Sequence, residues 1–468
     1  MDIANSLQTR HQSGFSRSLR IRLLPVLSIF ILLTSCQSTT PLPVEIAETS
    51  TNNNTAIINQ ATATPFIIIT PTITPEQSFS VTSQCPTFSD VFPKMRAHGV
   101  ISYSGRFKDY RNLLNLETGQ KSIFPVDSGG LIIVSQDRNK IAYSNSDPNT
   151  LSLFLAASVL DTQKNIEIPW PFIYSLDMPR WQNSDQILFT LKAEDNTDPT
   201  DLHPYRNALV NPFTNETKIL NPDFPQISDK LTSWNSAGSV VYDQTLEYAV
   251  YASWNKEKNE HEYVFWHIPS HTKLAVLPGN SYGGYTVAYA ERLSLDGVSY
   301  NPPVWSTDDN RVAVISSSPN ELKTDEIFTT NKNGDIELLT EFSTQLEEIN
   351  IRTLSWSPNG GQIAFFITTG PGPLGTPRNE QLAILDVKTR QVIHYCIDGD
   401  VVGTRAGSFI GDHEQIPAPL WSPDGSQVII ENRYEGDDSR LILLDIPSNT
   451  AYEIGQNMQP IGWMISGP

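Results

Sequence analysis

Three groups of side chains in this sequence have types and spacing that could do chemistry. Gly279-Asn280-Ser281-Tyr282-Gly283 carries the G-x-S-x-G spacing of a serine nucleophile. That spacing works only where a strand turns sharply into a helix and lifts the hydroxyl above an α/β sheet. Glu194, Asp195, Asp198 and Asp201 crowd carboxylates into one short stretch, the oxygen chemistry Ca²⁺ takes, but without the spacing or the glycine of an EF-hand loop. A solvated acidic loop is the reading that fits. His261, His267 and His271 lie close in sequence, yet His267 falls in the strand Tyr263 to Ile268 and His271 in the turn after it. Pleat and turn separate them and no cysteine joins them, so no metal site is expected there, and no cofactor is implied elsewhere.

These residues must be held by some framework, and composition narrows which. Of 468 residues, 39% are hydrophobic and 18% charged, with 33 prolines against 26 glycines. That profile excludes collagen, coiled coil and a polytopic membrane protein, and predicts a β-rich fold. The net charge of -19 repels a phosphate backbone, so nucleic acid is not a partner.

The N-terminus reads as an address. Arg10, Arg17, Arg20 and Arg22 precede an apolar run from Leu23 to Leu33. That run is shorter than the roughly 20 residues a membrane-spanning helix needs, so it reads as a secretory signal. Leu33-Thr34-Ser35-Cys36 follows directly and resembles the lipobox of bacterial lipoproteins. The resemblance implies that residues 1–35 are removed, that Cys36 is lipidated, and that the protein is anchored to the cell membrane outside the cytoplasm. An ordinary signal peptide with a chance cysteine is the alternative. Removal leaves 28 basic and 50 acidic residues, a net charge of -22. From Cys36 to Gln84 the chain holds no Lys or Arg and is dominated by Thr, Ser, Asn, Pro and Ala. Such a segment predicts a disordered, semi-extended tether, residues 36–84.

From about residue 95 the chain is self-similar. Trp421-Ser422-Pro423-Asp424-Gly425 leads to Val428, and Trp356-Ser357-Pro358-Asn359-Gly360 leads to Ile363. Degenerate copies stand at Trp305 to Val312, Trp234 to Val241, Trp181 to Leu188 and Val134 to Ile141. Each is a tight hairpin: proline presets φ, Asp or Asn follows, and glycine takes the left-handed position. A second hairpin recurs downstream of each, at Glu117 to Gln120, Asp161 to Gln163, Pro212 to Asn215, Pro269 to His271, Lys332 to Asp335, Asp386 to Thr389 and Pro447 to Asn449. Second hairpins outnumber first ones by one. The first unit, at Val100 to Tyr103, has no anchor before it, while Pro460-Ile461-Gly462-Trp463 is an anchor with no strand after it. Joined, the two halves complete a seventh unit and close a ring.

The Trp-Ser-Pro-Asp-Gly core followed by an apolar strand resembles the WD-repeat-like β-propellers of the TolB type. The resemblance implies an all-β propeller over residues 85–468. The count gives seven blades with the C-terminal strand closing the first; six and eight are the neighbouring alternatives. Ser-Tyr-Gly-Gly in residues 281–284 is similar to the nucleophile region of prolyl-oligopeptidase-type peptidases, but the three anchored repeats that follow leave no room for a hydrolase domain. Cys85 and Cys396 form an even pair with no Cys-x-x-Cys, which predicts a disulfide pinning the tether to the rim of the sixth blade. Two buried free thiols are the alternative.

In a propeller the first-to-second and third-to-fourth strand turns share one face, and the remaining connections share the other. The long insertions, Lys192 to Tyr205, Ser253 to Glu262, Pro278 to Tyr300, Thr368 to Asn379 and Asp400 to Pro417, all fall on that second face. Insertions confined to one face of a repeat protein mark a binding surface. Counting back from each anchor puts Asp177, Asp229, Lys230, Tyr300, Asn301, Arg352, His413 and Glu414 at its channel mouth, a polar funnel of mixed sign with no catalytic constellation. The expectation is a membrane-anchored propeller that binds a protein, peptide or glycan through the long-loop face. An extracytoplasmic hydrolase or lyase working at the channel mouth is the alternative, and a structural role in an envelope complex through the smooth face is a third.

Overall fold

The computed structural model describes residues 78–89, 100–105, 108–123, 132–144, 152–156, 163–167, 180–192, 205–214, 216–220, 241–255, 260–278, 303–317, 324–345, 349–369, 378–402, 418–433 and 439–465. All of them belong to one of the chain's two compact units, Ile67–Pro468.

Two short strands come first, β1 (Ser80–Gln84) and β2 (Thr87–Ser89). Blade 1 contains β3 (Val100–Gly105), β4 (Lys108–Asn115) and β5 (Lys121–Ile123). Blade 2 is β6 (Ile132–Val134), β7 (Ile141–Ser144), β8 (Ser152–Ala156) and β9 (Gln163–Glu167). Blade 3 is β10 (Arg180–Trp181), β11 (Ile187–Lys192), β12 (Tyr205–Asn211) and β13 (Glu216–Leu220). Blade 4 is β14 (Val241–Tyr242), β15 (Tyr248–Asn255), β16 (Glu260–His267) and β17 (Thr272–Pro278). Blade 5 is β18 (Val304–Trp305), β19 (Arg311–Ser317), β20 (Asp325–Asn331) and β21 (Ile336–Leu338), followed by a 3-10 turn, Phe342–Thr344. Blade 6 is β22 (Ile349–Trp356), β23 (Gln362–Thr369), β24 (Arg378–Asp386) and β25 (Gln391–Val402). Blade 7 is β26 (Leu420–Trp421), β27 (Gln427–Arg433), β28 (Ser439–Asp445) and β29 (Thr450–Gln456).

The last strand, β30 (Met458–Met464), pairs antiparallel with β3, setting Val100 against Met464 and Ile101 against Trp463. Among the described residues blades 1 to 5 are separate four-stranded antiparallel sheets, the first completed by the C-terminal strand, while blades 6 and 7 join through a parallel Asp400–Arg433 bridge and, with β1 and β2, make one ten-stranded sheet. This is the β-propeller that the repeats predict.

Strand alternation builds the core. Successive side chains of one blade point to opposite faces, so each blade feeds two inter-blade layers. On β23, Ile363, Phe365 and Ile367 pack towards blade 5 with Ala313, Ile315 and Ile327. Ala364 and Phe366 of the same strand pack towards blade 7 with Val428, Ile430 and Ile442. Ile429, Leu441 and Leu443 then face blade 1 and meet Leu114, Leu116 and Trp463. Blades 3 and 4 share the layer of Leu188, Leu209, Tyr251 and Trp266, and blades 4 and 5 that of Phe265, Val312 and Phe328. At the blade 1–blade 2 seam, a Cβ on Gly462 would collide with the Val134 side chain, so only glycine permits that approach.

The anchor tryptophans fasten neighbouring blades. The Trp356 indole donates to the Val304 carbonyl of blade 5 at 2.9 Å, and the Trp421 indole to the Ser355 carbonyl of blade 6 at 3.0 Å. Blade 4 departs from the expected register. Its first hairpin lies at Asp243 to Glu247, between β14 and β15, not at Trp234 to Gly238, which is outside the described residues. Asp243 replaces the repeat serine there, its Oδ1 accepting the Glu247 and Tyr248 amides at 2.9 Å.

The structured chain also begins earlier than the 84/85 boundary. β1 pairs parallel with β25, from Ser80 against Gln391 to Gln84 against Tyr395, and β2 pairs parallel with β29. Composition hides this because an added edge strand is held by backbone hydrogen bonds and needs few apolar side chains. Phe79 does supply one: it is buried in the blade 5–blade 6 layer, edge-on to Phe342 at 5.2 Å. Cys85 and Cys396 are disulfide-bonded, with Cα atoms 4.6 Å apart.

Candidate functional site

The two ends of the propeller differ in chemistry. At the tight-turn end a serine hydroxyl organises the first hairpins of blades 2, 5, 6 and 7. Ser306, Ser357 and Ser422 are buried, and their hydroxyls donate to Asp308, Asn359 and Asp424 at 2.5–2.7 Å. Each also accepts the amide five residues on, from Arg311, Gln362 and Gln427, at 2.9–3.0 Å. Ser135 does the same with Asp137 and Lys140 in blade 2. The residue closing the turn has a positive φ: Arg138, Leu246, Asp309, Gly360 and Gly425.

Side chains lace these turns together. Gln244 of blade 4 donates to Gln136 of blade 2 at 3.1 Å, passing blade 3. The Gln244 amide donates to Asp309 of blade 5 at 3.0 Å, and the Arg138 guanidinium of blade 2 reaches the Trp421 carbonyl of blade 7 at 2.8 Å. Lys332 bridges Asp243 and Asp309 at 2.9 Å each, and those partners raise its pKa although burial opposes them.

The other end carries the long connections. Four of the five insertions join described strands there: 193–204, 279–303, 370–377 and 403–419. The fifth is corrected. β15 and β16 stay paired to Asn255 and Glu260, so blade 4's connection shrinks to 256–259. Of the eight channel-mouth candidates, Arg352 alone lies among the described residues. Asp177, Asp229, Lys230, Tyr300, Asn301, His413 and Glu414 fall outside them, as do Cys36, the acidic stretch at 194–201 and the G-x-S-x-G segment.

Arg352 sits on the inner strand of blade 6, where β22 bulges between Arg352 and Ser355 and Thr353 takes a φ of 52°. A β-branched residue with positive φ is a strained backbone position, and the bulge re-aims its neighbours. The Arg352 Nη1 lies 2.8 Å from Oε1 of Glu380, whose side chain is buried on β24.

Sequence reasoning missed Glu380 and the buried acids beside it. Asp325 and Glu326 open β20, on the same long-loop end, and both are buried. Asp325 accepts the Ile351 amide at 3.1 Å, linking blade 5 to the strand of Arg352. Glu326 accepts from the Thr340 hydroxyl and the Phe342 and Ser343 amides at 2.6–3.0 Å. Burial still pushes its carboxyl above the ordinary value. Burial, with the Asp325 charge nearby, also pushes the Tyr263 phenol of blade 4 upward. Their signal in sequence was a charged pair opening a strand, as in Asp325-Glu326-Ile327-Phe328.

Between blades 6 and 7 the belt continues. Gln381 donates to Asp398 at 2.9 Å, and Asn432 of blade 7 donates to the Asp398 carbonyl. Burial lowers the His394 pKa against the pull of Asp398. His267 is occupied by the Ser270 hydroxyl at 2.6 Å. Among the described residues no group of His, Cys, Asp and Glu converges as a metal site. Buried acids thus recur along this end, Asp325 and Glu326 in blade 5, Glu380 in blade 6 and Glu431 in blade 7.

No family model and no curated protein matches the chain. Among solved structures it is similar to TolB from Acinetobacter baumannii, at 13% identity over 76% of this chain and 78% of that one, with a TM-score of 0.38. It is similar to the oligogalacturonate lyase of Vibrio parahaemolyticus at 13% identity, over 78% and 90% of the two chains, with a TM-score of 0.47. An acylaminoacyl peptidase is similar at 12% identity and a TM-score of 0.45, with 76% of this chain and 50% of that one covered. At these values the likenesses carry no argument about activity. The fold rests on the strand pairing.

Proposed function

We propose that the chain is a lipoprotein anchored outside the cytoplasm through Cys36, and that its propeller is a binding module for a protein, peptide or glycan. The observation that carries this reading is the inequality of the two ends. The tight-turn end is trimmed and laced turn to turn, from Gln136 to Gln244 and from Arg138 to Trp421. The opposite end takes every long connection between described strands and stands on a buried polar belt. Loops on a rigid scaffold are where recognition is built.

The test is position-specific photo-crosslinking in cells, with the reactive group placed in 370–377 or 403–417 and, as the contrast, at Lys388 in a tight turn. Adducts are expected from the two long connections only. Adducts from Lys388 alone, or from all positions alike, would overturn the assignment of the face. Fatty-acid labelling that survives Cys36→Ser would overturn the anchor.

A further inference from the structure

We propose that the Cys85–Cys396 disulfide is a site of thiol–disulfide exchange that governs whether the segment from Phe79 to Ser89 stays clasped to the propeller rim. The inference does not depend on the proposed anchor or on the partner-binding face.

The segment is an addition to a ring already closed by β30. It crosses the blade 6–blade 7 seam and covers the outer edges of both blades, β1 on β25 of blade 6 and β2 on β29 of blade 7. Its apolar hold is concentrated at one end. Phe79 is buried, Gln345 donates to the Phe79 carbonyl at 3.2 Å, and Thr82 donates to the Val392 carbonyl at 3.5 Å. Towards β2 the hold includes the Asn449 side chain on the Cys85 carbonyl and the Thr87 amide on the Asn449 carbonyl, both at 3.1 Å, and a three-residue parallel pairing. Phe88 is 57% exposed there. The disulfide sits at the junction between the two halves. Cys85 is on the exposed side of it, while Cys396 is partly buried in β25.

That asymmetry sets the order of events. Attack by an external thiolate needs an accessible sulfur with a clear approach opposite the leaving one, and Cys85 is the accessible partner. The thiolate of a dithiol reductant bonds to the Cys85 sulfur, the Cys85–Cys396 bond breaks, and Cys396 leaves with the electron pair and is protonated. The reductant's second thiol displaces Cys85 from the mixed disulfide. The reductant ends as a disulfide and the protein gains two thiols, a two-electron balance. The clasp is then held by its two short edge pairings, the buried Phe79 ring and a few side-chain hydrogen bonds, a set that opens locally at less cost than the blades.

The test uses the full chain carrying Cys36→Ser, so that Cys85 and Cys396 are its two cysteines, with dithiothreitol as the reductant. Three readouts are taken together: alkylation of both thiols, the β-sheet circular dichroism signal, and chymotryptic cleavage after Phe79. The expected result is that both thiols become alkylated in the folded protein, with the β signal kept. Cleavage after Phe79 should accelerate by about tenfold or more, the scale of a local opening made easier by one broken constraint. The double variant Cys85→Ser/Cys396→Ser should reproduce the fast cleavage without reductant. Any of three outcomes overturns the proposal: thiols that react only after denaturation, reduction that unfolds the blades, or reduction that leaves cleavage unchanged.

Discussion

Ser422 does two jobs with one hydroxyl. It donates to Asp424 at 2.6 Å and accepts the Gln427 amide at 2.9 Å, in a fully buried position. Ser422→Ala strands that amide, and a buried unsatisfied donor costs about 1–3 kcal/mol. The pH response changes as well. Burial opposes ionisation of Asp424, but the Ser422 hydroxyl and the Ser426 amide and hydroxyl outweigh it and hold the carboxyl below its ordinary 3.8. A carboxyl held low in the fold adds stability above its unfolded value and loses it as pH falls through the folded one. Urea unfolding is therefore expected to show Ser422→Ala less stable at pH 7, with a shallower fall on acidification below 3.8. An unchanged midpoint and an unchanged acid limb would show the hydroxyl to be dispensable. This serine was legible in sequence as part of a repeat. The partner of Arg352 was not, because Glu380 comes near it only when β22, β23 and β24 are laid side by side.

At the scale of the element, β1 shows what pattern reading misses. Ser80-Val81-Thr82-Ser83-Gln84 has the composition of a spacer, and its strand identity comes from the open edge of β25. Blade 4 misled in the opposite way. Trp234 offered the familiar anchor, whereas the hairpin uses Asp243, whose carboxylate supplies the acceptor a serine supplies elsewhere. Phe79 is the side chain that fixes β1. Phe79→Ala removes a ring buried against Phe342 and should cost about 3 kcal/mol, the low end for aromatic truncation in a core. Thermal melting would register it as a lower Tm. No change would mean that β1 is held by its backbone alone.

At the scale of the molecule, the ring and its closure were readable because seven second hairpins faced six first ones, a mismatch that only joined ends resolve. The long-loop end was readable only as loop lengths, and of its eight named residues only Arg352 lies among the described ones. Closure itself is testable. A chain ending at Gln456 lacks β30 and with it the buried Met458, Trp463 and Met464, so it should lose the single cooperative melt and show an enlarged radius in solution scattering. A chain ending at Ile465 should melt as the full chain does. Equal melting of the two would make β30 an ornament.

The parallel sense of β1 has a mechanical consequence. Ser80 meets Gln391 beside the tight turn of blade 6 and Gln84 meets Tyr395 further along. Tension on the chain before Phe79 therefore pulls β1 lengthwise along β25. Its hydrogen bonds share the load in shear, and the Cys85–Cys396 bond lies next in line. The load passes into the body of blade 6, and the β30–β3 seam, the one place where the ring could unzip from an end, is spared it.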